Sequence, residues 1–362
     1  MEKRSVAILI PAHNEEEVIE ATLQSLLKVA APRDIYVVDD ASTDNTAKIA
    51  KRIIANILTL KKNQGKAGAM NAAFVKFSLP ARYQYIMPVD ADTVIAPDFL
   101  THILPIFAED KRKKIACVIG KIVGRNKKWI TTYRLWEYEV AQTIHKSAQA
   151  IINAVIVCPG PCTIYRSDIF IKNSYPTGTL VEDMDLTFLI HRKKIGKIVY
   201  CPKSIVITQD PKTVRAFLKQ IDRWYTGFWQ CLIKHNIPWG GQMLDLEVAL
   251  LALEGLYNGL LVASLVVLFP FALLKDYLIL VIPISIDILL FILPTFIFVA
   301  IRHHTIKIFL YFPQFYFLRI LSSFIFLRSF FKVVFAQDLK MKTFWNTARY
   351  RIGKENLWIS NS

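Results

Sequence analysis

Two aspartates one residue apart, Asp90 and Asp92, close a short apolar run in the stretch YIMPVDADT from Tyr85 to Thr93. A strand ending there delivers both carboxylates to one face at its carboxyl end, because strand side chains repeat every second residue. Two such carboxylates can hold a hard divalent cation and leave positions open for phosphate oxygens. The same pair occurs in many solvated loops, so its meaning depends on what else the chain brings to that edge.

Other charged groups fall at equivalent points of the chain. Val6 to Ile10, closed by Pro11, reads as a buried strand, and Asn14 with Glu17 reads as a capping box opening a helix to about Val29. Ile35 to Val38 is a second strand ending at Asp39 and Asp40, and the polar cluster Ser42 to Thr46 turns the chain into a helix to about Ile54. Ile57 to Leu60 is a third strand, followed by Asn63, Gly65, Lys66 and Gly68 and a helix through Met70 and Asn71 to about Phe77. Strands alternating with helices imply an α/β, doubly wound sheet whose ligands sit beyond the carboxyl ends of the strands. Asp39, Asp40, Lys66, Asp90 and Asp92 all fall at that edge. Helix capping is the alternative for Asp39 or Asp40 alone, and a solvated loop position is the alternative for Lys66. Pro88 lacks a ladder donor, so its strand is expected at an edge or with a bulge.

Composition divides the chain. Of its 362 residues 53% are hydrophobic, and the excess lies in the almost continuously apolar region Leu246 to Phe335, after a mixed α/β part ending near Gly241. Leu246–Leu274 and Tyr277–Ile301 are each long enough to cross a bilayer, joined by the turn Lys275–Asp276. With the first part cytosolic, the second span returns to the basic loop Arg302, His303, His304 and Lys307 on the inner side. Ile308 to Phe335 carries Arg319 and Arg328, and one full crossing would leave the basic tail Lys340 to Lys354 outside. A re-entrant segment and an external tail both remain open. Glu254 and Asp287 lie within apolar spans, where carboxylates can line a polar path for a sugar or lipid head group.

The formal charge of +16 is spread in small groups such as Lys111 to Lys114, Lys127 with Lys128, and Arg192 to Lys194, with no nucleic-acid-reading motif beside them. A cytosolic face on anionic membrane lipids accounts for it, and no nucleic-acid partner is expected. The five cysteines, Cys117, Cys158, Cys162, Cys201 and Cys231, read as buried reduced thiols. The apolar run before Pro11 is too short for a signal peptide or an anchor.

The ordered series PAHNEE, VVDDASTDNT, NQGKAGAMN, VDADT, PGPCTIYR, VEDMDLT and QIDRW, over about residues 6 to 230, resembles the family 2 glycosyltransferases of GT-A fold. Within them it is similar to the membrane-embedded branch of cellulose, chitin, hyaluronan and poly-N-acetylglucosamine synthases. The resemblance implies a GT-A catalytic domain over 1–214, an amphipathic interface helix within 215–245, a transmembrane region of two or three spans over 246–335, and a basic tail over 336–362. It implies that Asp90 and Asp92 hold Mg²⁺ or Mn²⁺ at the donor diphosphate, that Asp39 and Asp40 face the nucleoside, and that Lys66 lies near the diphosphate. Asp183 becomes the base for the acceptor hydroxyl, with Glu182 orienting or tuning it. Asp185 is read as a helix-start residue, and an acidic helix N-terminus is the plainer reading of all three. Gln220, Arg223 and Trp224 share one helix face, where arginine can fork onto phosphate and tryptophan can stack on a sugar. Gly160 is an acceptor-site candidate. Phe217, Trp224, Phe228 and Leu232 recur at the spacing of an interface helix, and Trp129, Tyr133, Trp136, Val140 and Ile144 mark a second helix, Trp129 to Ile151, at the interface or in a core.

The expected protein is an inverting, metal-dependent membrane glycosyltransferase with a cytosolic catalytic domain. It takes a UDP-linked nucleotide-sugar donor and extends a β-linked polysaccharide. Single transfer to a lipid acceptor, giving a glycolipid or polyprenyl-phosphate sugar, is the alternative. An inactive sugar-nucleotide-binding scaffold is the reading from a different class.

Overall fold

The computed structural model describes residues 3–124, 129–274, 278–304 and 306–336. The paired lysines at 127 and 128, the turn at 275–276 and the tail 337–362 lie outside them. The chain forms two units, one from Met1–Val123 with Lys146–Gln209 and one from Gly124–His145 with Asp210–Lys340, over their described residues.

In the first unit the apolar runs become an eight-stranded sheet: β1 (Arg4–Ala12), β2 (Ile35–Asp39), β3 (Ile57–Thr59), β4 (Tyr83–Pro88), β5 (Val94–Ile95), β6 (Ile115–Val123), β7 (Thr163–Arg166) and β8 (Lys197–Ile207), in the order β3-β2-β1-β4-β7-β6-β8-β5. β3, β2, β1 and β4 are parallel, and β1 and β2 are buried nearly end to end, as strands covered on both faces by helices must be. β7 runs antiparallel to both β4 and β6, so the other half of the sheet is mixed. The chain passes from β1 to β2 on one side and reaches β4 on the other. That reversal opens a crevice at the carboxyl ends of these strands.

Two local expectations differ. The strand carrying Pro88 is central, not an edge, and it has no need of a bulge there. Val89 N donates to Leu9 O at 2.9 Å. Successive N–H groups alternate in direction, so Pro88 turns its missing donor toward β7, whose pairing with β4 ends at Ile86. The capping box at Asn14 does not form either, because the helix starts at Ile19. Asn14 takes a left-handed φ of 55°, and its side-chain Oδ1 accepts from Thr43 N at 2.8 Å. Glu15 N donates to Thr46 Oγ1 at 2.7 Å and Glu16 N to Asp44 Oδ2 at 3.1 Å. The polar groups after β1 are thus spent on clasping the loop after β2. All five cysteines are buried as free thiols.

The second unit is helical. Helices Met243–Ala272 and Leu280–Arg302, of 30 and 23 residues, are long and apolar enough to cross a membrane. The segment beyond them forms the helix Phe312–Phe330 and a π-helical turn Phe331–Phe335. Trp129–Ile151 is not one α-helix: Trp129–Glu139 is followed by a π-helical stretch, Val140–His145, and then Lys146–Ile151. Tyr133 meets Phe217 edge-on at 5.4 Å and Phe315 at 5.0 Å, and Trp136 meets Phe296 at 5.2 Å. Much of both aromatic stripes takes part in helix packing: Phe217, Phe228 and Leu232 are buried, Trp129 and Val140 pack on the core that holds Phe217, and Ile144 is exposed.

Asp287 is paired, not exposed to a path. Arg319 donates to its Oδ1 at 2.8 Å and to Asn258 Oδ1 at 3.1 Å, so one charge pair staples three apolar helices. Gly255 lets two of them approach. A Cβ there would lie 2.4 Å from Phe326 Cε1, and that ring is wedged by Tyr225 at 5.1 Å and Trp229 at 5.2 Å. Overpacking of this kind costs about 1–3 kcal/mol. Gly255→Ala is accordingly expected to lower the thermal unfolding midpoint of the detergent-solubilised protein, with the far-ultraviolet helical signal kept below the transition.

Candidate active site

Three stretches far apart in sequence meet on one ammonium group. Lys66 Nζ lies 2.7 Å from Asp90 Oδ1 and 2.8 Å from Glu182 Oε1. Its side chain is only 14% exposed. Burial by itself pulls the lysine pKa down, but Asp90, Glu182 and Asp183 outweigh that and hold it well above the usual lysine range. Lys66 is therefore a fixed positive charge at the edge where anionic groups are expected.

Its placement begins in the loop before the helix Gly65–Phe77. Asp40 Oδ1 accepts from Gln64 N at 2.7 Å, and Asn63 Oδ1 accepts from Gly65 N at 3.0 Å, so the first turn starts at a set position. Asp40 thus supports a helix start, but that of a helix remote from its own strand. Its other oxygen, Oδ2, is buried and accepts no hydrogen bond. Burial raises the Asp40 pKa, with the Gln64 and Gly65 amides pulling against it. Asp39, also buried, closes a local turn by accepting from Ser42 N at 3.2 Å.

Asp90 and Asp92 do not share a face through strand alternation. β4 ends at Pro88, and the two aspartates sit in a turn closed by Thr93 N donating to Asp90 O at 3.0 Å. Thr22 Oγ1 pins the turn through Ala91 O at 2.7 Å. Asp90 meets Lys66, and Asp92 is buried. Among the described residues no group of three or more His, Cys, Asp or Glu side chains gathers as a metal cluster. A hard cation on this pair would need ligand oxygens from elsewhere to complete its shell.

Glu182 and Asp183 open the helix Glu182–Arg192, where the dipole favours carboxylates. Asp183 Oδ1 accepts from Met184 N at 2.8 Å. Asp185 is structural, fully buried and accepting from Thr179 Oγ1 at 3.0 Å. Gly160 opens a 3₁₀ turn directly against the ion pair: a Cβ at this position would lie 2.6 Å from Lys66 Nζ and 3.4 Å from Asp90 Oδ1.

Two residues had no role assigned from sequence. Asn71 donates from Nδ2 to Tyr175 O at 3.0 Å and accepts from Tyr175 N at 2.7 Å, tying the Lys66 helix to the segment that leads to Glu182. Tyr175 stacks on Phe170 at 5.7 Å. Asn71 sits in the NQGKAGAMN stretch, but its partner is 104 residues away, beyond any local pattern. The remaining candidates, Gln220, Arg223 and Trp224, lie on the helix Val214–Lys234 of the second unit. Gln220 and Trp224 both face Arg134, whereas Arg223 is exposed.

Because the atom opposing a Cβ at position 160 is the tip of a flexible chain, Gly160→Ala should fold normally and dislodge the ammonium from Asp90. In an assay of the sugar transfer that the sequence motifs lead one to expect, the rate should drop on the order of tenfold or more, as small misplacements at reacting centres do. An unfolding midpoint close to wild type beside that loss is the signature to look for.

Residues 7–173 match the model of glycosyl transferase family 2. The chain is 29% identical over 241 residues to poly-β-1,6-N-acetyl-D-glucosamine synthase of Staphylococcus aureus, a match covering 64% of this chain and 57% of that protein. The enzyme of the same name from Staphylococcus epidermidis matches equally, 29% over 241 residues. The chain thus spans 57% of the length of these curated relatives. Among solved structures, a mannosyltransferase from Pyrobaculum calidifontis in complex with GDP-mannose and Mn²⁺ superposes with a TM-score of 0.60 at 18% identity, over 93% of this chain and 89% of that one. That likeness establishes the shared fold. Residues 7–173, which carry Lys66 and Asp90, thus match a family 2 glycosyltransferase domain, on a GT-A fold, in a chain that resembles the poly-N-acetylglucosamine synthases.

Proposed function

We propose that the protein is an inverting membrane glycosyltransferase that transfers N-acetylglucosamine from UDP-N-acetylglucosamine to a growing β-linked polysaccharide. The observation that carries this is the bridge from Lys66 to Asp90 and Glu182, which gathers three of the motifs at one charged centre. The donor and polymer are suggested by the names of the staphylococcal relatives, and the membrane by the two long apolar helices. The catalytic domain is assigned to the cytosol, where nucleotide sugars are made available to it.

The donor set of Asp90 and Asp92 fits Mg²⁺ or Mn²⁺: both offer only hard oxygens, and with no third protein ligand clustered among the described residues the shell is left to diphosphate and water. Bound there, the ion would neutralise charge on the departing diphosphate as a Lewis acid. Lys66 adds a permanent positive charge for the same leaving group. Asp40 Oδ2, a buried acceptor without a donor, suits an N–H of the uracil ring. Asp39 is assigned to the nucleoside beside it.

Glu182 is committed to an always-charged lysine, so it serves as a poor base. Asp183 takes the role instead. Its carboxylate receives the proton of the acceptor hydroxyl as that oxygen attacks the anomeric carbon from the face opposite the leaving group. The bond from that carbon to phosphate oxygen breaks, and UDP departs with the electron pair. Gly160 is assigned to the acceptor, and Gln220, Arg223 and Trp224 supply hydrogen-bond donors and a stacking ring to phosphate and sugar.

With protein in nanodiscs, release of UDP from UDP-N-acetylglucosamine is expected to require Mg²⁺ or Mn²⁺ and to vanish in Asp183→Asn. A panel of other nucleotide sugars serves as control. Turnover of a different donor alone would correct the sugar, and undiminished turnover in the variant would remove Asp183 from the chemistry. Product length decides the acceptor: a ladder of labelled chains is expected, and a single labelled lipid would establish the lipid reading. Asp40→Asn should weaken UDP binding by about 1.5–3 kcal/mol, the range for a hydrogen bond to a charged group. Since burial raises the Asp40 pKa, wild-type affinity for UDP should fall as pH drops through a value above the ordinary aspartate range, and calorimetric titration across acidic pH reads this directly.

A further inference from the structure

We propose that Arg134 is a positioning residue that fixes the orientation of Gln220 and Trp224, an inference resting on the reading of those two side chains as substrate contacts. Arg134 lies on the helix Trp129–Glu139 and is 2% exposed. Its guanidinium donates to Glu137 Oε2 at 2.7 Å and to Gln220 Oε1, 86 residues away in sequence. The charged plane lies over the rings of Phe217 at 4.5 Å and Trp224 at 4.9 Å. Phe217, Gln220 and Trp224 recur at helical spacing, so one arginine engages one whole face of the motif helix.

The stabilising value of such a group is modest. A buried cation must be fully paired to offset its desolvation, and Arg134 Nε is buried with no acceptor. Its pairing with Glu137 offsets part of that cost, so the net gain in stability is small. The consequence of the charge is geometric. Guanidinium has donors and no acceptor, so only the oxygen of the Gln220 amide can face it. The amide NH₂ is thereby turned the other way, so Gln220 presents donors. An amide so oriented suits phosphate and sugar oxygens. Trp224 is half-buried, and the cation over its ring fixes the plane of the indole that the motif would offer to a sugar. Lysine cannot reproduce this, because it lacks both the fork and the plane.

The test uses the full-length protein in nanodiscs with UDP-N-acetylglucosamine. Arg134→Lys is expected to lower kcat on the order of ten- to a hundredfold, the scale of a small misplacement, with KM for the donor near wild type. Combined with Gln220→Ala, it should add little to the loss of Gln220→Ala alone, whereas a general structural defect would multiply with it. Gln220→Glu keeps a partner for Arg134 and removes the donor, so it should be folded and inactive. Wild-type kcat in Arg134→Lys, or losses that multiply in the double variant, would overturn the positioning role. If Arg134→Lys does not fold, Gln220→Glu decides, and wild-type turnover there overturns it. Wild-type turnover in both Gln220→Ala and Trp224→Ala would instead sink the motif's substrate role, and Arg134's with it.

Discussion

A lysine ammonium shared by two carboxylates is the constraint on which the catalytic unit depends. Lys66 is nearly buried, and a cation there is tolerable only because Asp90 and Glu182 both lie within 2.8 Å of it. For Glu182 the requirement is mutual, since without the lysine this nearly buried carboxylate would be a poorly solvated anion. The pairing therefore fixes the loop after β4 and the start of the helix Glu182–Arg192 to the start of the helix Gly65–Phe77. It leaves Asp183 next to, but distinct from, the residue that balances the lysine.

Much of the surrounding structure serves to make that meeting possible. The sheet reverses its winding at β1, which opens a crevice at the carboxyl ends of β1 and β4. The loops after β1 and β2 are clasped by Asn14, Thr46 and Asp44, and Asp40 passes the constraint to Gln64. Asn71 does the same for the chain near Tyr175. Gly160 contributes by having no side chain, because any Cβ there would occupy the place of the ammonium.

The helical unit follows different rules. Its core is aromatic, with Tyr133, Trp136, Phe217, Phe296 and Phe315 meeting edge to face, an arrangement that gains from ring quadrupoles as well as from burial. Charged groups within it gather in small sets: Arg319 with Asp287 and Asn258, Arg302 with Glu139 at 3.0 Å, and Arg134 with Glu137 and Gln220. Each set joins elements distant in sequence or neighbouring turns of a helix. Interior charges of this kind specify an arrangement more than they add to stability.

The first four strands and the helices between them were legible from the sequence, because apolar runs bounded by Pro, Asp and Gly carry strand length and burial in their local pattern, whereas β5 to β8 were not read from it. The two long apolar helices were legible for the same reason, and so was the edge at which Asp39, Asp40, Lys66 and Asp90 fall. Tertiary structure alone decided how these residues are used. Asn14 looked like a helix cap and became a loop clasp, since a polar side chain bonds whichever backbone the fold brings near it. Asp90 and Asp92 looked like strand residues and came to lie in a turn. The stripe through Phe217 and Phe228 was legible as an apolar helix face, but periodicity marks only which face is apolar, and the aromatic rings that pack on it were set by the fold. The contacts of Arg134 with Gln220 and of Lys66 with Glu182 left no trace in the sequence, because pairing across 86 residues or more is set by the packing of whole elements and not by any local spacing.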